Sequence, residues 1–287
     1  MKALATTIYR DKDKLWLLIW LAGVGLVWLW NILHLNRPAL EKIEAGFFYT
    51  LVIALLGIVF SLLLGWSTAL GMYFLEKLRT PAPYLTAAFL LNLIRSVPQI
   101  VGILSGYVFI TLGIQGGALR STAAIILLIA FTISVFVFLE IADLVRERID
   151  YYKKLDFYNA MLVCGIRESR IINREILWKN SLAHIVNKLI AVFGITIFLL
   201  CSIDFIVSVG LSTEVSAVNL PVTLGSLLAK IDSKQDILAI GHTLTHPGYI
   251  SRLFLTHLQG ITAAFLIVFT LLCIYKISNG FARRYEL

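Results

Sequence analysis

Tyr158-Asn159-Ala160-Met161-Leu162-Val163-Cys164-Gly165, followed shortly by Arg174-Glu175-Ile176-Leu177, lies in a charged segment of about thirty residues between the fourth and fifth of six long apolar runs. The segment reads as two short helices broken at Gly165, because a glycine suits a helix C-terminus where a left-handed residue satisfies the last carbonyls. Leu155, Tyr158 and Leu162 follow one another at offsets of three and four, which places them on one helical stripe. Glu168 falls in the first turn of the second helix, where negative charge suits the dipole. Ile172 and Ile176 continue an apolar stripe, and Lys153, Lys154, Arg167, Arg170 and Arg174 occupy the outer surfaces. A charged helical hairpin of this kind is either a solvated loop or a grip for a soluble partner.

Outward from the hairpin the chain is apolar. Of its 287 residues 59% are hydrophobic and only 15% charged, with mean hydropathy +0.86. Water-soluble domains rarely have so little polar surface. The runs reach or approach the ~18–20 residues that cross ~30 Å of hydrocarbon. Backbone groups in lipid must pair internally, so the runs are helices. The expected fold class is an all-α integral membrane protein with six transmembrane helices.

The spans are expected at about Leu15–Leu33, Phe47–Phe74, Val97–Leu112, Ala123–Leu139, Leu182–Val209 and Leu253–Ile277. Trp16, Trp20, Trp28 and Trp30 bracket the first span as aromatic belts do. It lacks a small-residue cleavage site and reads as retained. A polar link, His34 to Ala45, joins it to the second span. There Gly57, Ser61, Gly65 and Ala69 recur every four residues, a stripe that admits close helix packing. Glu76 to Pro83 reads as a loop, and Tyr84 to Arg95 as an interfacial helix feeding the third span, which ends in the turn-like Gln115-Gly116-Gly117. The fourth span is expected to continue as a helix through Glu140 and Asp143 to Arg146. The polar stretch Gly210 to Ser251 is expected to fold back on the membrane surface as short helices. In domain terms, residues 1–45 form the N-terminus, first span and link, residues 46–278 the core with the hairpin at about 150–180 and the external stretch at about 210–251, and residues 279–287 a tail.

The net charge of +8 is placed by topology. With the N-terminus inside, seventeen of the 25 Lys and Arg residues lie on the inner side, six outside, and Arg95 and Lys188 stand near span ends. The positive-inside rule then puts both termini and the hairpin in the cytoplasm, and the basic balance needs no nucleic acid. Cys164, Cys201 and Cys273 are far apart and read as free thiols.

The hairpin resembles the cytoplasmic coupling motif of ABC importer permeases: Glu-Ala-Ala, three residues, Gly, nine residues, a mostly apolar position, one residue, Leu-Pro. Asn159 stands at the glutamate, Ala160 matches, Met161 replaces the second alanine, Gly165 matches, and Glu175, Ile176 and Leu177 follow at the right distance, with Trp178 in the place of proline. Gly165-Ile166-Arg167-Glu168-Ser169-Arg170-Ile171-Ile172-Asn173-Arg174-Glu175-Ile176-Leu177 is similar to the corresponding stretch of the second permease subunit of dipeptide, oligopeptide and nickel importers. Ser96-Val97-Pro98, Leu224-Gly225-Ser226-Leu227-Leu228 and Ser278-Asn279-Gly280-Phe281-Ala282-Arg283 are looser matches in the same order. The motif's usual glutamate and proline are absent, as is the longer external segment these peptide permeases carry between spans 1 and 2.

The resemblance implies a type I ABC importer permease fold in a bacterial cytoplasmic (inner) membrane. It implies that Asn159, Ala160, Met161, Gly165, Arg170, Arg174, Glu175 and Leu177 couple the chain to an ATPase. The partners implied are a second permease subunit, two ATP-binding cassette subunits holding ATP and Mg, and an extracytoplasmic solute-binding protein. The solute would be a peptide or a related small molecule.

No Gly-x-x-x-x-Gly-Lys-Ser/Thr phosphate loop is present, and Gly113-Ile114-Gln115-Gly116-Gly117 lacks the lysine and hydroxyl. The chain is therefore expected not to be an enzyme and to bind no cofactor itself. His242 and His246 are spaced by four but run into Pro247-Gly248, which reads as an external loop rather than a metal site; His257 is weaker still. Charged residues at membrane depth are functional candidates. Lys188 with Glu140 and Asp143 suggests an ion pair between the hairpin's stems, against snorkelling of each to the interface. Asp204, in the outer part of the fifth span, either lines a path or reaches the surface. Two other classes stay open: an ion-coupled secondary transporter, which would show inverted repeats and midplane charges, and a non-transporting anchor for a cytoplasmic complex.

Overall fold

The computed structural model describes residues 11–35, 37–78, 80–210, 220–229, 231–252 and 258–285, and every regular element in them is helical. The chain runs α1 (Lys12–His34), α2 (Arg37–Glu76), α3 (Ala82–Ser96), α4 (Gln99–Gln115), α5 (Thr122–Val137), α6 (Leu139–Lys153), α7 (Asp156–Val163) and α8 (Glu168–Arg170). A π-helix, Ile171–Asn180, continues α8, and α9 (Leu182–Gly210), α10 (Leu224–Ala229), α11 (Ile231–Thr245), a 3-10 turn (Pro247–Tyr249) and α12 (Leu258–Arg284) complete the fold. The start expected for the last span, 253–257, lies outside the described residues, as do 1–10, 211–219 and His257.

Four helices, α1, α2, α9 and α12, are each long and apolar enough to cross a membrane. Two further candidates are bent pairs: α3 with α4, at 94°, and α5 with α6, at 45°. Pro98 ends α3 and opens α4, since its ring admits no preceding helical residue and it lacks the donor a continuous helix needs. The second bend falls at Phe138. Ser134 there turns its hydroxyl back onto the Ala130 and Phe131 carbonyls, 2.5 and 3.0 Å away, an arrangement that often bends helices. Continuation of the fourth span through Glu140 is therefore kinked rather than straight.

Three expectations change. The polar link of residues 34–45 is mostly helix, because Pro38 is accommodated in the first turn of α2, where the missing N–H costs nothing. The tail expected at 279–287 is helical through Arg284, and Gly280 lets α12 lie against the backbone of Lys12 and Asp13. The stretch expected at Gly210 to Ser251 is in part inserted: Leu224, Gly225, Leu227 and Ala229 of α10 are buried against α9 and α2, whereas Leu238 and Leu244 of α11 are exposed.

The small-residue stripe of α2 explains why the bundle is close-packed. Gly57 faces the Thr196 methyl of α9, and Gly65 faces Ile141 and the Phe138 carbonyl at the α5–α6 bend. Lipid provides little hydrophobic drive between helices, so such close approach supplies much of the packing energy. A Cβ at Gly65 would stand 2.8 Å from the Phe138 oxygen. Gly65→Ala is expected to destabilise the bundle by roughly 1–3 kcal/mol through overpacking. Gly71→Ala, with nothing within 4 Å, should be neutral or slightly stabilising. Thermal unfolding midpoints of the two detergent-solubilised variants check this.

α1 is tied to the bundle by polar bonds at three heights: Arg284 Nη1 to Asp13 Oδ2 (3.0 Å), Trp20 Nε1 to Thr270 Oγ1 (3.0 Å), and Thr262 Oγ1 to Asn31 Oδ1 (3.0 Å). These fix it antiparallel to α12, so the start of α1 and the ends of α2 and α12 share one side of the bundle with α7 and α8.

Candidate functional site

The hairpin follows the expected break. α7 ends at Cys164, Gly165 adopts φ +75°, and the Gly165 and Ile166 amides donate to the Leu162 and Met161 carbonyls at 2.9 and 3.2 Å. This is the left-handed helix stop that glycine permits without strain. α8 then begins at Glu168 and widens into the π-helix. Ile171, Ile172, Ile176 and Leu177 are all fully buried there. They form two pairs five residues apart, and i→i+5 hydrogen bonding is what brings both pairs onto the packed face. The Asn180 side chain donates to the Glu175 carbonyl at 2.7 Å in the same register.

The candidate residues therefore divide. Asn159, Ala160, Gly165, Arg170 and Arg174 are exposed, and Met161 is partly buried. Glu175 is largely covered and pairs with Lys179 at 2.7 Å and Arg174 at 4.0 Å. Leu177, expected among the coupling contacts, faces the core, because the widened turn rotates it inward. Of the stripe Leu155, Tyr158 and Leu162, only Tyr158 is buried; Leu155 and Leu162 are exposed beside Phe157 and Val163, the last at 88%. α7 thus turns an apolar tip away from the bundle. Gly165, Arg167, Ser169, Arg170 and Asn173 line a shallow open cleft next to it.

What fastens the hairpin is a cluster whose parts sequence reasoning left separate. The Glu168 carboxylate accepts from the Lys77 ammonium and from the Tyr73 and Tyr158 hydroxyls, all at Oε1. Those hydroxyls lie 3.2 Å apart, and Lys77 and Lys153 lie 4.8 and 4.9 Å from the Tyr73 ring centre. Burial alone would raise the Glu168 pKa, but the Lys77 charge and the tyrosine donors outweigh it and hold the carboxyl down to about 2. Burial, then the bond to Glu168, pushes the Tyr158 hydroxyl above its ordinary range, so it remains a donor. The sequence signal was the four-residue spacing of Tyr73 and Lys77, which puts both on one face at the end of α2. Further bonds join the hairpin to the bundle: Trp66 Nε1 to Asn173 Oδ1 (3.2 Å) and Arg148 Nε to Ser181 Oγ (3.3 Å).

The stem charges sort themselves by pairing. Lys188 Nζ meets Glu140 Oε2 at 2.5 Å, whereas Asp143 turns to Arg95, with contacts of 2.7 and 3.0 Å. Asp143 lies three residues from Glu140, almost a full turn along α6, and reaches α3 instead of α9. At the opposite side of the bundle Asp204 is buried and accepts from Thr223 Oγ1. Thr223 also exchanges bonds with Ser226, Thr223 N to Ser226 Oγ at 2.9 Å and Ser226 N to Thr223 Oγ1 at 3.2 Å, which caps α10. Asp204 therefore holds the segment that returns at α10 against α9 and does not reach the surface. His242 and His246 stack at 4.3 Å near the end of α11. Among the described residues no group of three potential metal ligands occurs.

No family model matches the sequence, and no curated protein matches it. Among solved structures, the chain is similar to one described as an amino acid ABC transporter with histidines, at 19% sequence identity and a TM-score of 0.47, covering 85% of this chain and 94% of that one.

Proposed function

We propose that this chain is the membrane-spanning permease subunit of an ATP-driven ABC importer, forming half of the translocation path for a peptide or a related small solute. The observation that carries the reading is the hairpin itself. An apolar tip on α7 and the cationic Arg167, Arg170 and Arg174 protrude from a segment whose other face is wholly buried. A loop that merely joined two spans would need neither the buried isoleucines nor the Glu168 cluster. The motif resemblance from Asn159 to Leu177 supports the same assignment. In this reading the bent pairs are the third and fourth of six spans, and both termini and the hairpin are cytoplasmic.

The chain supplies no chemistry that releases energy, so the work comes from two ATP-binding cassette partners that hold ATP and Mg. Each partner receives one hairpin, one from this chain and one from a second permease subunit. Closure of the ATPase pair draws the hairpins together. The Glu168 cluster and the Lys188–Glu140 pair pass that displacement to α2, α6 and α9. The cavity between the two permeases then switches from inward-open to outward-open, where a solute-binding protein delivers its cargo. Such coupling requires the ATP-bound partner to favour one permease conformation over the other.

The test is association of the full chain with an ATP-binding cassette ATPase from the same genome, expressed together with it. Wild type is expected to co-purify it and to show ATP hydrolysis. Reversing Arg170 and Arg174 to glutamate places like charges against a surface that accepted cations, and binding is expected to fall about 100-fold. Transport that persists without any ATPase would overturn the proposal.

A further inference from the structure

We infer that the junction of α1 and α12 on the hairpin side is a binding site for the phosphate headgroup of an anionic phospholipid. A concavity of about 370 Å³ opens there, lined by Lys12, Trp16, Tyr275, Lys276, Asn279 and Arg283. Three cations from two helices converge on it. Among the described residues none of the three pairs with a carboxylate; the nearby Asp13 is taken by Arg284 at 3.0 Å. Lys276 instead lies over the Trp16 and Tyr275 rings, at 5.7 and 6.0 Å. Helix ends pack this closely because Gly280 meets the Lys12–Asp13 backbone, where a Cβ would come within 2.6 Å.

The position suits a lipid rather than a free solute. Trp16 and Tyr275 are amphipathic rings at the end of two spans, where a headgroup layer lies. Phe265, Val268 and Leu272 are exposed on the same face of α12 as Lys276 and Arg283 and continue from the concavity toward the bundle's middle. That ridge provides the surface along which acyl chains lie. Basic pockets between membrane helices take anionic headgroups, each nearby Lys or Arg contributing roughly fivefold to affinity. The inference rests on the membrane placement of α1 and α12 and is independent of any ATPase partner.

The full chain in detergent is titrated with phosphatidylglycerol, phosphatidylcholine or inorganic phosphate. Retained lipid is read by native mass spectrometry and the unfolding midpoint by a thermal scan. Phosphatidylglycerol is expected to be retained and to raise the midpoint, and phosphatidylcholine to do neither. The variant K12Q/K276Q/R283Q should need about 100-fold more phosphatidylglycerol, while R146Q/K154Q, which removes cations elsewhere on the same side, should bind as wild type does. Should the triple variant fold poorly, K276Q alone is expected to weaken retention about fivefold. Equal retention of the two lipids, an unchanged triple or single variant, or inorganic phosphate protecting as well as phosphatidylglycerol would each overturn the lipid assignment.

Discussion

Gly165→Pro is expected to detach the ATPase partner while leaving the bundle folded. Proline fixes φ near −65°, whereas Gly165 sits at +75°. The substitution also removes the amide that donates to the Leu162 carbonyl at 2.9 Å. It disfavours the helical conformation of Cys164, at φ −70°. No atom lies within 4 Å of a Cβ built at Gly165, so the effect is one of backbone conformation and not of crowding. The stop should lose about 3 kcal/mol or more, enough to displace α7 and lower partner capture beyond 100-fold. Gly165→Ala, which fits the space but not the dihedral, should cost about 1–2 kcal/mol, and asparagine less. The expected order of co-purified ATPase is glycine, asparagine, alanine, then proline far behind. Unfolding midpoints of all four should stay close together, because Tyr158 is the one buried residue of α7. A proline variant that still holds its partner would show that the hairpin is not the docking element.

Glu168→Ala is expected to have the second largest effect, on hairpin rigidity. One carboxylate oxygen receives a lysine and two tyrosine hydroxyls. Hydrogen bonds to a charged group contribute about 1.5–3 kcal/mol, and Lys77, 44% exposed, adds less because solvent screens it. Loss of the carboxylate should therefore cost about 2–3 kcal/mol and make local opening of the hairpin roughly 30- to 150-fold more frequent. Cys164 is exposed while Cys201 and Cys273 are buried, so a nitroxide on Cys164 reads the motion directly. The carboxyl's pKa is lowered by folding, from 4.5 to about 2. Its contribution is then complete above pH 4.5 and is lost as the pH falls through 2. Wild-type label mobility should rise across that window, and Glu168→Ala should be mobile throughout and flat. A wild-type label as mobile as the variant's at pH 7 would mean that the cluster fastens nothing.

Much of the hairpin was legible because its signals are local. A glycine after a short amphipathic turn stops a helix whatever surrounds it, and Ile172 and Ile176 had to face something apolar. Leu177, which the motif puts among the coupling contacts, faces the core, because helical spacing assigns a residue to a face only when the turn is of known width. The π-helix from Ile171 shifts every side chain after it, and nothing in Ile-Ile-Asn-Arg-Glu-Ile-Leu marks a wider turn. Asp143 was misassigned because choosing between Lys188 and Arg95 requires knowing which helices flank α6. The Glu168 cluster joins residues 91 and 95 positions apart, a distance over which no periodicity speaks.

By itself the sequence determined that the chain is helical and apolar along long runs, where its charges cluster, and that a glycine divides the charged hairpin. Those properties follow from composition and from the requirement that backbone groups in lipid pair within their own segment. Tertiary structure alone decided that α10 is inserted against α9, and which cation each of Glu140, Asp143 and Glu168 meets. The reason is physical: insertions and charge pairs depend on which neighbour fills the space beside a residue. Gly65 receives the carbonyl at the bend and Asp204 accepts from the Thr223 hydroxyl only once distant segments have met.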